Sequence, residues 1–158
     1  MRKWWSIVCA GFLTGCHTAT LPPLKTVEQV DLSRFMGDWY VIAHIPTFAE
    51  RNAYNAVESY ALKSDGRIAT TFTFRKGGFD GEKRQMTPTG FVVDKQSNAR
   101  WKMQFIWPFK ADYRITYLTR DYGITVIARK KRDYVWVMAR TPQIDEAERL
   151  AVEDHLKE

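Results

Sequence analysis

Apolar and polar residues alternate between Trp39 and Arg140 in eight short runs, each bounded by turn-forming residues. The runs cover 39–45, 53–63, 67–75, 82–93, 100–106, 112–119, 124–129 and 134–140. A period of two over such lengths predicts β-strands with one face toward a core. The breaks hold Ser64-Asp65-Gly66, the glycine-rich stretch 76–81, residues 94–99, Trp107-Pro108 and Asp121-Tyr122-Gly123, which supply the backbone conformations of tight turns. After Thr141-Pro142 the period changes. Ile144, Ala147, Leu150, Ala151 and His155 fall near one face, which predicts an amphipathic helix over 143–157. No internal repeat and no strand–helix–strand alternation interrupts this order. It predicts an all-β protein, an eight-stranded antiparallel up-and-down β-barrel with one C-terminal α-helix.

Parity then divides each strand into two faces. Trp101, Met103 and Phe105 share one face, as do Tyr113, Ile115 and Tyr117, and Tyr134 and Trp136 on the last strand. Such aromatic, polar-tipped rows suit a lumen holding an apolar ligand, because eight strands enclose about one small molecule. The alternative is an aromatic-rich core with no cavity. These eight residues are the candidate lining, with Phe72 and Phe74 as additions. Glu58 shares a face with Tyr54, Ala56 and Tyr60, so parity places a carboxylate in the lumen, unless a bulge turns it outward. The turns at one barrel end, with their strand edges, carry ten cations, among them Arg51, Lys83, Lys110 and Arg132, against Glu50, Asp80, Glu82 and Asp133. This basic rim suits an anionic head group or membrane surface, or is simply solvated.

The first residues are of another kind. Arg2 and Lys3 precede an apolar stretch from Trp4 to Leu13, which predicts a removed secretory leader over 1–15. Leu13-Thr14-Gly15-Cys16 resembles the lipobox of bacterial lipoproteins, which implies lipidation of Cys16, a membrane anchor and sorting to the outer membrane, with the barrel facing the periplasm; the alternative is a plain signal peptide that contains a cysteine. Residues 16–30, with Pro22-Pro23, read as the lipidated cysteine and a tether, and 31–158 as the barrel with its helix. Cys9 leaves with the leader, so the mature domain keeps no thiol for a disulfide, a nucleophile or a metal. The formal charge of +6 falls to +4 once Arg2 and Lys3 are removed.

Little of this composition suits catalysis. No nucleophile elbow is present, and the three histidines (His17, His44 and His155) lack metal-ligand spacing. Gly77-Gly78 joins two strands rather than opening a helix, so it is no phosphate loop. The expectations are no enzyme, no metal, no cofactor and no nucleic-acid partner. A carrier of another apolar molecule, such as haem or a quinone, and a structural lipoprotein with a filled barrel are the alternatives.

Gly37-Asp38-Trp39 at the start of the first strand resembles the G-x-W signature of the lipocalin family. Asp121-Tyr122 resembles its second motif, with Arg120 where threonine is usual, and Arg140 matches its third. The order and spacing of all three fit across 27–157, and Tyr60-Ala61-Leu62 and Arg140-Thr141-Pro142 resemble more narrowly the bacterial outer-membrane lipocalins. The resemblance implies a lipid-anchored carrier of fatty acid or (lyso)phospholipid in envelope maintenance, with Gly37, Trp39, Asp121, Tyr122 and Arg140 as fold determinants. Related chains continue past the helix into a short extra strand, so an open edge near the first strand and pairing into a homodimer are expected.

Overall fold

The computed structural model describes residues 22–47 and 50–157; the leader, Cys16 and the first part of the tether lie outside them. Among the described residues nine strands form one antiparallel sheet: β1 Gly37–Ile45, β2 Ala53–Leu62, β3 Arg67–Lys76, β4 Glu82–Met86, β5 Thr89–Val92, β6 Arg100–Ile106, β7 Phe109–Leu118, β8 Ile124–Ala128 and β9 Val135–Ala139. Their order is β2-β1-β9-β8-β7-β6-β5-β3-β4, and a further β2–β3 pairing closes the barrel. The fold is therefore the eight-strand meander, with its fourth strand broken into β4 and β5 around Thr87-Pro88. Proline lacks the N–H that a ladder needs, which explains the break. Both fragments pair with β3, but only β5 goes on to pair with β6.

That break adds an open edge. β1 pairs with β2 over 37–40 and with β9 over 40–45, so the edge expected beside it is confined to the stretch on each side that the ladder leaves. A further unpaired edge belongs to β4, which pairs with β3 alone.

The barrel floor is built from residues distant in sequence. A short helix, α1 (Leu32–Phe35), crosses it, capped by Asp31, whose carboxylate accepts from the Ser33 and Arg34 amides. Phe35 and Trp39 are wholly buried there, and the Trp39 indole N–H donates to the Phe35 carbonyl at 2.8 Å. Arg140 closes the assembly. Its guanidinium lies 3.8 Å over the Trp39 ring and donates to the carbonyls of Asp38, Arg34, Phe35 and Met36 at 2.7–3.1 Å. A fork of fixed N–H groups suits carbonyls left unpaired at the end of a helix. Gly37 sits at φ +95°, a backbone conformation that favours glycine, with the Arg140 Nη1 in ordinary contact range of where a Cβ would be. Tyr122 joins the same knot. Its hydroxyl accepts from the Asp31 amide at 2.8 Å, and Arg34 stacks on its ring at 4.0 Å. Asp121 accepts from the Gly123 amide, holding the turn, and the hydrogen bond to Thr119 keeps its carboxyl below the usual range.

Two boundaries differ from the expectations. The barrel takes in the end of the presumed tether: the Val27 amide donates to the Ile115 carbonyl, and Val30 is fully buried. Proline-rich composition marked residues 16–30 as a spacer, but two valines suffice to dock part of it. The C-terminal helix, α2 (Glu146–Leu156), starts at a capping box between Asp145 and Glu148. It packs through Val152 onto Ile124, Val126, Val137 and Ala139, with Ile144 beside them. Ala147, Leu150 and Ala151, expected on the packed face, are exposed. On so short a helix, Val152 and His155 orient the packed face. Their contact covers the outer side of β8, which is why every residue of that strand is buried.

Arg140→Ala removes the stacked cation and leaves four carbonyls without this donor, so we expect it to lower the folding free energy by about 3 kcal/mol. Urea denaturation measures this, and Arg140→Lys, which cannot fork, is expected to recover less than half of the loss.

Candidate functional site

Above the floor the barrel changes from filled to hollow. Phe35, Trp39, Tyr60, Trp101 and Tyr113 form a continuous aromatic layer, with Trp101 stacked on Tyr113 at 5.1 Å and 11°. Ile115 lies within this layer, fully buried, and the Trp101 indole donates to the Asn98 carbonyl at 2.7 Å. Over it lies a cavity of about 520 Å³, lined by Met86, Met103, Phe105, Ile106, Tyr113 and Trp136 together with Glu50, Glu58 and Arg129. That volume falls in the range of small-molecule sites. The two alternatives for the lumen thus hold in different halves of one barrel.

Five of the nine candidate residues meet at this cavity: Glu58, Met103, Phe105, Tyr113 and Trp136. Trp101 and Ile115 are inward-facing but sit below it, in the floor. Tyr117 is on the opposite side of the wall. A bulge between Ile115 and Tyr117 shifts the β7–β8 register by one residue, so Tyr117 packs outside against the α2 face, its ring 5.2 Å from His155. Thr116, the extra residue, is hydrogen-bonded there to His155. Tyr134 also leaves the lumen. It precedes β9 and lines an outer groove with Ile45, Val135 and residues 22–25. Phe72 and Phe74 are buried with Ala56 in a cluster on the β2–β3 side, packed against Met86. His44, opposite in parity to Trp39, is brought by a bulge at Val41–Ala43 into register with Trp136, on the inward row.

Glu58 points inward. It stands across from Trp39 on β1 and Phe72 on β3, and opposite residues of a ladder share a face. Its carboxyl belongs to a chain of hydroxyls: the Tyr60 OH donates to Glu58 Oε2, and Tyr60 and Tyr113 share a hydrogen bond of 2.8 Å. Burial, helped by the negative charge of Glu50, raises the Glu58 pKa from 4.5 to about 8. Burial also pushes the Tyr113 hydroxyl well above its ordinary value. At neutral pH the site therefore holds a neutral carboxylic acid.

Other polar groups of the wall come from positions that parity does not reach. Glu50, in the β1–β2 loop, is buried and accepts from the Thr47 amide at 3.0 Å. Arg129 lies 3.4 Å from the Asp133 carboxylate and stacks on Tyr134 at 4.9 Å. Among the described residues the Trp136 Nε1 is buried with no hydrogen-bond partner. Glu50, Thr87 and Arg129 sit in loops or at strand ends, where no period marks them; Met86, in phase with Glu82 and Arg84, is a one-residue apolar signal in a charged strand. No group of His, Cys, Asp and Glu among the described residues has the arrangement of a metal site.

The comparisons agree with this architecture. A family model described as a Lipocalin-like domain matches residues 30–158. The chain is 28% identical over 142 residues to the outer membrane lipoprotein Blc of Escherichia coli, covering 87% of this chain and 78% of that one. It is 30% identical over 135 residues to temperature-induced lipocalin-1 of Arabidopsis thaliana, covering 78% and 69%. Among solved structures, insecticyanin from the tobacco hornworm Manduca sexta superposes with a TM-score of 0.69 at 16% identity, covering 87% of this chain and 78% of that one.

The pH dependence of stability tests the Glu58 environment. Below pH 4.5 the carboxyl is protonated in both folded and unfolded chains. As pH rises from there through about 8, the unfolded chain releases a proton that the folded one keeps, so stability falls over that interval. Glu58→Gln is expected to remove this decline, raising the midpoint of thermal unfolding at pH 8–9 by several degrees and leaving it nearly unchanged at pH 4. Equal shifts at both pH values would show that the carboxyl titrates normally.

Proposed function

The chain belongs to the lipocalin family, and on that premise we propose that it is a lipid-anchored outer-membrane lipoprotein that binds a fatty acid or (lyso)phospholipid in its barrel. The observation that carries this reading is the closed floor beneath an apolar cavity of about 520 Å³ with one neutral carboxyl at its base. An acyl chain entering it replaces water with contacts to Met86, Met103, Phe105 and Trp136. About ten buried methylenes at ~0.8 kcal/mol each give roughly 8 kcal/mol gross, and the costs of association leave an affinity near micromolar.

The polar groups suit the same ligand. Glu58, protonated at neutral pH, donates to a ligand oxygen without imposing a charge on the apolar wall. The Trp136 N–H offers a second donor, and a ligand oxygen there would satisfy a group that is otherwise unpaired. A head group left at the mouth meets the basic rim. The lipobox-like Leu13-Thr14-Gly15-Cys16 and relatives named outer membrane lipoproteins support lipidation of Cys16 and placement at the outer membrane; the barrel then faces the periplasm. The role is storage or transport of membrane lipid rather than catalysis. Among the described residues of the wall none pairs a nucleophile with a base, and Glu58 belongs to a hydrogen-bonded chain that ends at Tyr113, whose hydroxyl burial holds well above its ordinary value.

Titrating the Cys16→Ser protein with fatty acid or lysophospholipid, read by tryptophan fluorescence, tests this reading. We expect saturable binding near micromolar and about a tenfold weaker affinity in Trp136→Ala, which removes one wall of the cavity. Tyr117→Ala, a change on the outer face, is expected to leave the affinity within twofold. No saturable binding, or equal losses in the two variants, would overturn the proposal.

A further inference from the structure

We infer that the mouth of the barrel is a membrane-docking surface, with the β6–β7 hairpin tip seated among the head groups of an anionic bilayer. Three observations converge on this end of the molecule.

The first is apolar exposure. Seven of the eleven large apolar side chains that stand exposed among the described residues are at the mouth, and four of them follow one another around the hairpin. Ile106, Trp107 and Phe109 are 74%, 82% and 76% exposed, and Phe105 is half exposed. Phe79, on the neighbouring β3–β4 turn, is 65% exposed, edge-on to Tyr54. Water is a poor solvent for such a projection, whereas tryptophan and phenylalanine partition well into the boundary between head groups and acyl chains.

The second is charge. The mouth segments 46–52, 75–84, 107–110 and 129–133 carry ten cations against four acids. The turns at the floor end (63–66, 93–99 and 119–123) carry three of each. The excess lies around the apolar tip: Lys110 follows the hairpin directly, its ammonium 3.6 Å over the Phe91 ring, and Lys83 and Arg84 follow the Phe79 turn on β4. An apolar wedge inside a cationic ring fits a surface with anionic phosphates outside and hydrocarbon beneath. A groove for an apolar peptide or a second copy of the chain would not need the ring.

The third is the course of the N-terminal segment, and it rests on the proposed lipidation of Cys16. From Val30 at the floor the chain runs up the outside of the barrel, so that residues 22–25 lie against Ile45, Ala128, Arg132 and Val135 near the mouth. The Arg132 guanidinium donates to the Pro22 carbonyl at 3.4 Å. Cys16 is six residues farther on, a reach of at most about 20 Å. An acyl anchor on that residue holds the mouth, not the floor, toward the bilayer.

Docking in this orientation connects the two sites. Phe105 and Ile106 belong to the exposed hairpin and also line the cavity. Beside them β4 pairs with β3 alone and leaves its other edge without a strand, so the cavity wall is open there, at the end that meets the lipid. An acyl chain then passes from bilayer to lumen along apolar surface.

Flotation of the full chain carrying Cys16→Ser, which lacks the acyl anchor, with vesicles of about one-third phosphatidylglycerol tests the inference. We expect binding that is much weaker with pure phosphatidylcholine vesicles, that falls at high salt, and that drops about tenfold in Trp107→Ser/Phe109→Ser. Neither residue lines the cavity, so fatty-acid affinity in that variant is expected to stay within twofold. Equal vesicle binding by the variant and the parent overturns the docking surface. So does a concentration-dependent dimer in light scattering that the variant abolishes without any vesicle binding, which would assign the tip to a second copy. Hairpin-dependent vesicle binding in a chain that takes up no fatty acid supports the surface and refutes the ligand proposal instead.

Discussion

The guanidinium of Arg140 is where this structure is tied together. Its position is reached only after nearly the whole barrel has been traced, at the exit of the last strand, yet everything it touches belongs to the first dozen barrel residues. It stacks on Trp39 and satisfies carbonyls at the end of α1 and the start of β1. A barrel of antiparallel strands has two open ends by construction, and this contact seals one of them while joining the first strand to the last. A sealed floor makes the other end the mouth, and the volume between the seal and the mouth becomes the cavity.

The same constraint sets the chemistry above it. Aromatic side chains fill the taper of the lower barrel, and the uppermost of them, Tyr60 and Tyr113, end in hydroxyls that need partners away from bulk water. Glu58 provides one. Its carboxyl is poorly solvated at that depth and holds its proton through neutral pH, so the base of the cavity is polar without being charged. An apolar ligand can lie against such a base, and an ionised carboxylate there would oppose any anionic lipid. The polar element in the cavity floor is thus a consequence of closing the barrel with tyrosines.

Much of this was legible in the residues. Eight alternating runs and turn residues between them predict the meander, and Gly37, Trp39, Asp121, Tyr122 and Arg140 mark the closed end. Parity brought Glu58, Met103, Phe105, Tyr113 and Trp136 to the lumen. It failed for two candidates, for different reasons. Tyr117 lies beyond a one-residue bulge, which reverses the faces and leaves no compositional sign, since threonine fits either side of a strand. Tyr134 lies outside the strand altogether. Trp101 and Ile115 show a third limit: alternation tells which face a residue occupies but not how high in the barrel it stands, so floor and cavity wall look alike. The loop residues Glu50 and Arg129 carry no period at all. Alternation carries the fourth run unbroken through 82–93; Pro88 breaks it, and the open edge left on β4 follows only from the pairing.

The central claim is that the space above the sealed floor is occupied by a lipid in the cell. Native mass spectrometry of the Cys16→Ser protein, purified from its host without detergent and followed by solvent extraction, tests it most directly. The account predicts one fatty acid or (lyso)phospholipid per chain, released on denaturation and much reduced when Trp136 is replaced by alanine. A protein that arrives empty, and that stays empty after incubation with an excess of such lipids, would contradict it.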